Sequence, residues 1–125
     1  AELWNNLPEQ YAFLELMAAS AQSVADYFGD NILYINVMNN LSIDCDCDSN
    51  PHDPEMKDIG ILASTDPVAL DQACLDLVYA VKPTEGNDNR PLVNRIESLH
   101  GRHTVDYAET IGLGSKNYEL VVLDT

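Results

Sequence analysis

The sequence predicts an α/β fold, a small mixed or parallel sheet of about three strands with helices packed on it. Three observations carry this. Two short runs, 32–38 and 58–64, are almost continuously apolar and rich in β-branched residues. A longer stretch, 8–28, repeats apolar residues at three- and four-residue steps. The segments follow one another in the order α-β-β-α-α-α-β, with a long polar loop between the first two strands, which suits helices layered on a sheet.

The first helix is expected from Pro8 to Phe28. Tyr11, Leu14, Met17, Ala18, Ala21, Val24, Ala25 and Phe28 mark its apolar face, with Glu9, Glu15, Gln22 and Asp26 between them. Pro8 suits a first helical turn and Gly29 a left-handed stop. The strand Ile32–Met38 follows, and its continuous apolar character predicts burial on both faces. The segment Asn39–Lys57 is too polar and proline-broken for a core element, and loops of that length are usually functional. A second strand spans Asp58–Ser64. Asp66 then caps a helix whose first position is Pro67 and which runs to about Val81. Its few polar residues predict burial on most sides. Pro83–Pro91 reads as a surface loop, 92–99 as a short helix broken at His100-Gly101, and 104–111 as another, stopped by Gly112-Leu113-Gly114. Tyr118–Leu123 reads as the last strand.

With 125 residues the chain is expected to form a single α/β domain, 1–125. Lys and Arg number 6 against 21 Asp and Glu, a formal charge of −15. So few cations exclude a nucleic-acid backbone or an anionic membrane surface as partner. No run approaches the ~20 apolar residues that span a bilayer. Three cysteines, an odd number, argue against a fully paired secreted framework and predict a reducing, cytoplasmic setting.

Five acids, Asp44, Asp46, Asp48, Asp53 and Glu55, share residues 44–55 with Cys45, Cys47 and His52. In an extended segment Cys45 and Cys47 lie on one face and Asp44, Asp46 and Asp48 on the other. Two thiols so spaced suit one divalent metal, zinc or iron, with His52 a candidate nitrogen ligand after the bend at Pro51. Neighbouring carboxylates raise a thiol's pKa, so a metal ligand is a better reading of these cysteines than a free nucleophile. The residues equally admit two reduced thiols beside a solvated acidic loop. The acids at 44, 46, 48 and 55 imitate a calcium loop, but Ser49 stands where glycine is needed, Pro51 and Pro54 interrupt it, and its flanks read as strands. Cys74 reads as a small core residue. His100 and His103 read as helix-end residues, each also available as a ligand.

The residues Cys45-Asp46-Cys47, the run from Asp58-Ile59-Gly60-Ile61-Leu62-Ala63-Ser64 through Thr65-Asp66-Pro67-Val68-Ala69-Leu70-Asp71-Gln72-Ala73, then Asp76-Leu77-Val78 and the tail Tyr107–Ser115 resemble the domain-of-unknown-function family 362. Its members are often described as uncharacterised iron–sulfur-centre proteins. The resemblance implies that this is the C-terminal portion of a longer protein, and that the N-terminal portion or a redox partner is its neighbour. It carries the Cys-Asp-Cys motif onto Cys45, Asp46 and Cys47, and a histidine before the tail helix onto His103. The C-x-x-C-x-x-C-x-x-x-C segment of many members is missing here, so no iron–sulfur cluster is expected on that motif.

Three functions follow as expectations. The first is a metal-binding domain of a redox or iron–sulfur-associated protein, with Cys45, Cys47, Asp46, His52 and His103 as candidate ligands. The second is a cation-dependent enzyme using the acidic loop, Asp66 and Asp71. The third is a structural or assembly module with no metal.

Overall fold

A computed structural model of the protein describes residues 7–44, 48–49 and 53–123. It contains four helices and two strands: α1 (Leu7–Phe28), β1 (Tyr34–Met38), β2 (Gly60–Ser64), α2 (Pro67–Ala80), α3 (Arg90–Ser98) and α4 (Arg102–Thr110). The mixed α/β class and each expected helix are found, with boundaries within two residues of expectation.

The sheet differs from expectation. It has two strands, paired antiparallel with Tyr34 opposite Ser64 and Met38 opposite Gly60. The reason lies in the connection. A parallel neighbour needs a crossover of a dozen or more residues, usually a helix, whereas residues 39–59 hold no helix among those described and return the chain beside itself. The expected third strand is not formed either: residues 118–123 carry no ladder and are exposed, from Tyr118 at 39 % to Leu123 at 84 %. Nor are β1 and β2 buried on both faces. α2 covers the side of Asn36 and Met38, while Ile35, Val37 and Ile61 lie exposed on the other.

Two core clusters organise the molecule. In one, Ala18 of α1 meets Val68 of α2 and Val105 and Ala108 of α4. In the other, Met38 of β1 and Met56 of the long loop pack on Val78, with Leu92 and Ile96 of α3 alongside. α1 and α4 run parallel at an almost constant offset: Gln10 reaches Leu99, Tyr11 reaches His100, Glu15 reaches His103 and Gln22 reaches Ile111.

The helix ends follow local chemistry. Gly29 takes φ +56° after α1, as the sequence predicts. After α4, Gly112 at φ +83° donates to the Glu109 carbonyl and Leu113 to that of Ala108, the paired bonds of a Schellman stop. α3 ends the same way, but there the left-handed position is His100, at φ +54°. Among the described residues no helix is long and apolar enough to cross a membrane.

Candidate functional site

The acidic loop springs from one end of the β-hairpin, and its base is closed by hydrogen bonds. Ile59 N donates to the Met38 carbonyl at 2.9 Å, and Asn40 N to Asp58 Oδ1 at 2.9 Å. Asn40 takes φ +49°, a turn conformation that asparagine tolerates well. On the outgoing side Ser42 Oγ donates to the Asp44 carbonyl at 2.8 Å, and Arg95 Nη2 of α3 lies 3.3 Å from Asp44 Oδ2. On the returning side Asp88 N donates to the Glu55 carbonyl, Lys57 N donates to Asn87 Oδ1, and Met56 is buried. The polar stretch is therefore fastened at both ends to α3 and to the turn before it.

The expected ligands Cys45, Asp46, Cys47 and His52 lie outside the described residues. Among the described residues no group of three or more His, Cys, Asp or Glu side chains is placed to hold a metal ion. His103 stands at the start of α4, against α1. Its Nε2 is 3.1 Å from Glu15 Oε1, and its ring meets Tyr11 edge-on at 4.5 Å. Tyr11 also approaches His100, with its hydroxyl 3.4 Å from Nδ1. The two histidines thus share one tyrosine at the α1–α4 seam.

Asp66 is the helix cap that its position before Pro67 predicts. Oδ1 accepts from Val68 N at 2.9 Å and Ala69 N at 3.1 Å. Oδ2 accepts from Ser115 N at 2.9 Å, so the second oxygen holds the chain that leaves α4. Both oxygens are occupied by backbone donors, which leaves this carboxylate a fastening rather than an acid or base. Gly114 sits against it: a Cβ there would lie 2.0 Å from Asp66 Oδ1.

Asp71 and Cys74 lie one turn apart on α2, facing β1. Asn36 Nδ2 donates to Asp71 Oδ1 at 2.9 Å and approaches Cys74 Sγ at 3.4 Å. Burial pushes the Cys74 thiol pKa up; the Asn36 contact opposes this, and the Asp71 charge adds to it. Cys74 is a free, half-buried thiol beside the second core cluster, close to the expected core role. It also borders a surface cleft of about 300 Å³ between β1, α2 and α4, lined by Asp71, Leu75 and Thr104 among others.

Sequence reasoning missed two polar groupings. Asn36 was visible as the one polar residue in an apolar strand, and that oddity was the available signal. Tyr79, Glu97 and Arg102 come from three helices. Tyr79 Oη donates to Glu97 Oε1 at 2.5 Å, Arg102 pairs with the same oxygen at 3.0 Å, and its guanidinium lies 5.4 Å from the Tyr79 ring centre. Nothing local in the sequence joins them.

The family model described as "Domain of unknown function (DUF362)" matches residues 3–76, which includes α1, the hairpin with its acidic loop, and most of α2. The tail motif 107–115 lies outside the matched residues. No curated protein and no solved structure matches the chain. The match covers more than half of the 125 residues, and the chain belongs to the domain-of-unknown-function family 362.

Proposed function

We propose that the chain is a metal-binding domain of a redox or iron–sulfur-associated protein, with the loop between β1 and β2 as its site. Cys45 and Cys47 are the thiolate ligands for zinc or iron, and Asp46 and His52 complete the set. The observation that supports this most is the fastening of the loop beside the motif. Arg95 holds Asp44 immediately before Cys45, and the hairpin base fixes both stems, so ordering the ligands costs less chain entropy than in a free loop. His103 is a weaker candidate, because to bind a metal through Nε2 it must leave Glu15. A bound metal would keep the thiols deprotonated despite the surrounding carboxylates.

Elemental analysis of protein purified without chelator tests the reading. Zinc or iron near one per chain is expected, lost in Cys45→Ser/Cys47→Ser and retained in His103→Ala. Equal, sub-stoichiometric metal in the wild type and the double variant overturns it.

The exposed apolar side of the hairpin, with Ile35 at 58 %, Val37 at 58 % and Ile61 at 72 %, favours a second reading. In it the chain is an assembly module that docks the N-terminal portion of longer family members, and the cysteines are inert. Absence of metal together with slow native-state labelling of the loop thiols supports it; stoichiometric metal counts against it. The cation-dependent enzyme reading loses ground, since both oxygens of Asp66 already accept backbone hydrogen bonds, Oδ1 from the start of α2 and Oδ2 from Ser115.

A further inference from the structure

We infer that the cleft between β1, α2 and α4 is a binding site for a small primary amine with an apolar body. Its walls are Met38, Leu75, Val78 and Val105, so the interior offers no strong hydrogen-bonding group. Its polar margin is Asp71, Cys74 and Thr104. At about 300 Å³ the cleft is at the lower end of the ~300–1,000 Å³ typical of ligand sites, where apolar walls carry a few placed polar groups.

The polar margin selects the ligand's charge. Asn36 directs its amide group toward Asp71 Oδ1 and Cys74 Sγ, so that donor is spent inside the protein. Asp71 Oδ2 receives no donor from the described residues, and no Lys, Arg or His among them pairs with Asp71. The margin therefore presents acceptors: a carboxylate oxygen and the Thr104 hydroxyl, which can accept as well as donate. Asp71 is exposed and solvated when the cleft is empty, so a carboxylate or phosphate ligand meets repulsion there and a neutral apolar ligand gains nothing from it. An ammonium group answers it with a charge-assisted hydrogen bond while its hydrocarbon enters between Leu75 and Val105. The overall charge of −15 raises the local concentration of cations in the same direction.

The hydrogen bond from Asn36 fixes the carboxylate without neutralising it, and Gly101, where an added Cβ would meet Ile96 Cγ2 at 3.2 Å, lets the start of α4 lie close against α3. Both features belong to the packing of β1 and of the α3–α4 junction, so the site is preformed.

Phenethylamine is the probe, followed by amide NMR at pH 7. Saturable shifts are expected at Cys74, Leu75, Thr104 and Val105. Because Asp71 is exposed, its pairing with the ammonium is screened by solvent, and Asp71→Asn should weaken the apparent affinity about two- to fivefold. Phenethyl alcohol and 3-phenylpropionate, of similar shape, should be weaker by a similar factor. In Cys45→Ser/Cys47→Ser protein, saturating amine should slow iodoacetamide alkylation of Cys74. Retention of the Asn36 bond by either Asp or Asn at 71 keeps the variant folded, which its circular dichroism checks. Shifts that spread over the acidic loop without saturating, equal affinity for the alcohol, or unchanged affinity in Asp71→Asn overturns the assignment.

Discussion

Asp66 and Gly114 are in contact across 48 positions of sequence, and the contact requires that residue 114 have no side chain. A Cβ on Gly114 would fall 2.0 Å from Asp66 Oδ1, the oxygen that caps α2. The other oxygen holds Ser115 N. One carboxylate therefore fastens the start of α2 to the chain leaving α4, and the glycine admits it.

Two substitutions test that fastening. Gly114→Ala must displace the carboxylate, and we expect a loss of about 1–3 kcal/mol, in the range of strongly felt single substitutions. Asp66→Ala removes the cap, worth about 0.5–2 kcal/mol, and the Ser115 bond with it. Because both act through the same carboxylate, the double variant should lose less than the sum of the singles. Urea denaturation of the four proteins gives the comparison; strictly additive losses would show that the two residues are not coupled.

The contrast between Asp66 and α1 shows what the sequence discloses. Asp66 was legible because a cap is local: Asp-Pro before an apolar run is a helix start whatever lies elsewhere. Its bond to Ser115 was not, since nothing near Asp66 marks a partner 49 positions away. On α1 the length and the stop were legible, but the packed face was not. The buried stripe runs through Gln10, Leu14 and Ala18 and continues to half-buried Gln22 and Ala25, while Tyr11, Met17, Val24 and Phe28 of the apolar face are exposed. Periodicity finds the apolar arc; it does not say which edge of that arc meets a neighbour. Likewise the loop chemistry was legible as composition, whereas the fastening of Asp44 by Arg95 depends on a contact 51 positions apart.

The two glutamines of that stripe perform the same task twelve positions apart. Gln10 Nε2 donates to the Leu99 carbonyl at 3.0 Å and Gln22 Nε2 to the Ile111 carbonyl at 2.7 Å, and these carbonyls belong to the C-caps of α3 and α4. Gln10 is 3 % exposed. Gln10→Ala leaves the Leu99 carbonyl without this donor and opens a gap, so about 1–3 kcal/mol is expected from the lost bond and desolvation. Gln22→Ala, nearer solvent, should cost about 0.5–1.5 kcal/mol. Thermal melts distinguish the two, and equal effects would contradict the difference in burial.

Tyr79 gives a pH dependence on the alkaline side. Burial and then the Glu97 carboxylate push its hydroxyl up to about 12, from an ordinary value near 10. The folded state therefore favours the protonated phenol. That contribution is complete below pH 10, and it is lost as pH rises from the unfolded value through about 12. Tyr79→Phe should flatten this part of the profile. Stability measured from pH 8 to 11 by denaturant titration should fall less steeply in the variant, and parallel curves would assign the alkaline loss to other groups.

His100 occupies the left-handed position that ends α3, at φ +54°, where a side chain is unfavourable by roughly 1–2 kcal/mol relative to glycine. What the imidazole gains there is a 3.4 Å approach to Tyr11 and a ring contact at 5.0 Å, both near the surface. Neither outweighs the backbone cost, and the bonds that close the helix are backbone bonds from His100 N and Gly101 N that glycine would keep. His100→Gly is therefore expected to raise the melting temperature by a few degrees, the equivalent of roughly 1 kcal/mol for a domain of this size. His100→Ala should give no such rise, because alanine keeps the Cβ and loses the ring. If the glycine variant melts lower than the wild type, the Tyr11–His100 contact contributes more to the α1–α4 seam than its geometry indicates.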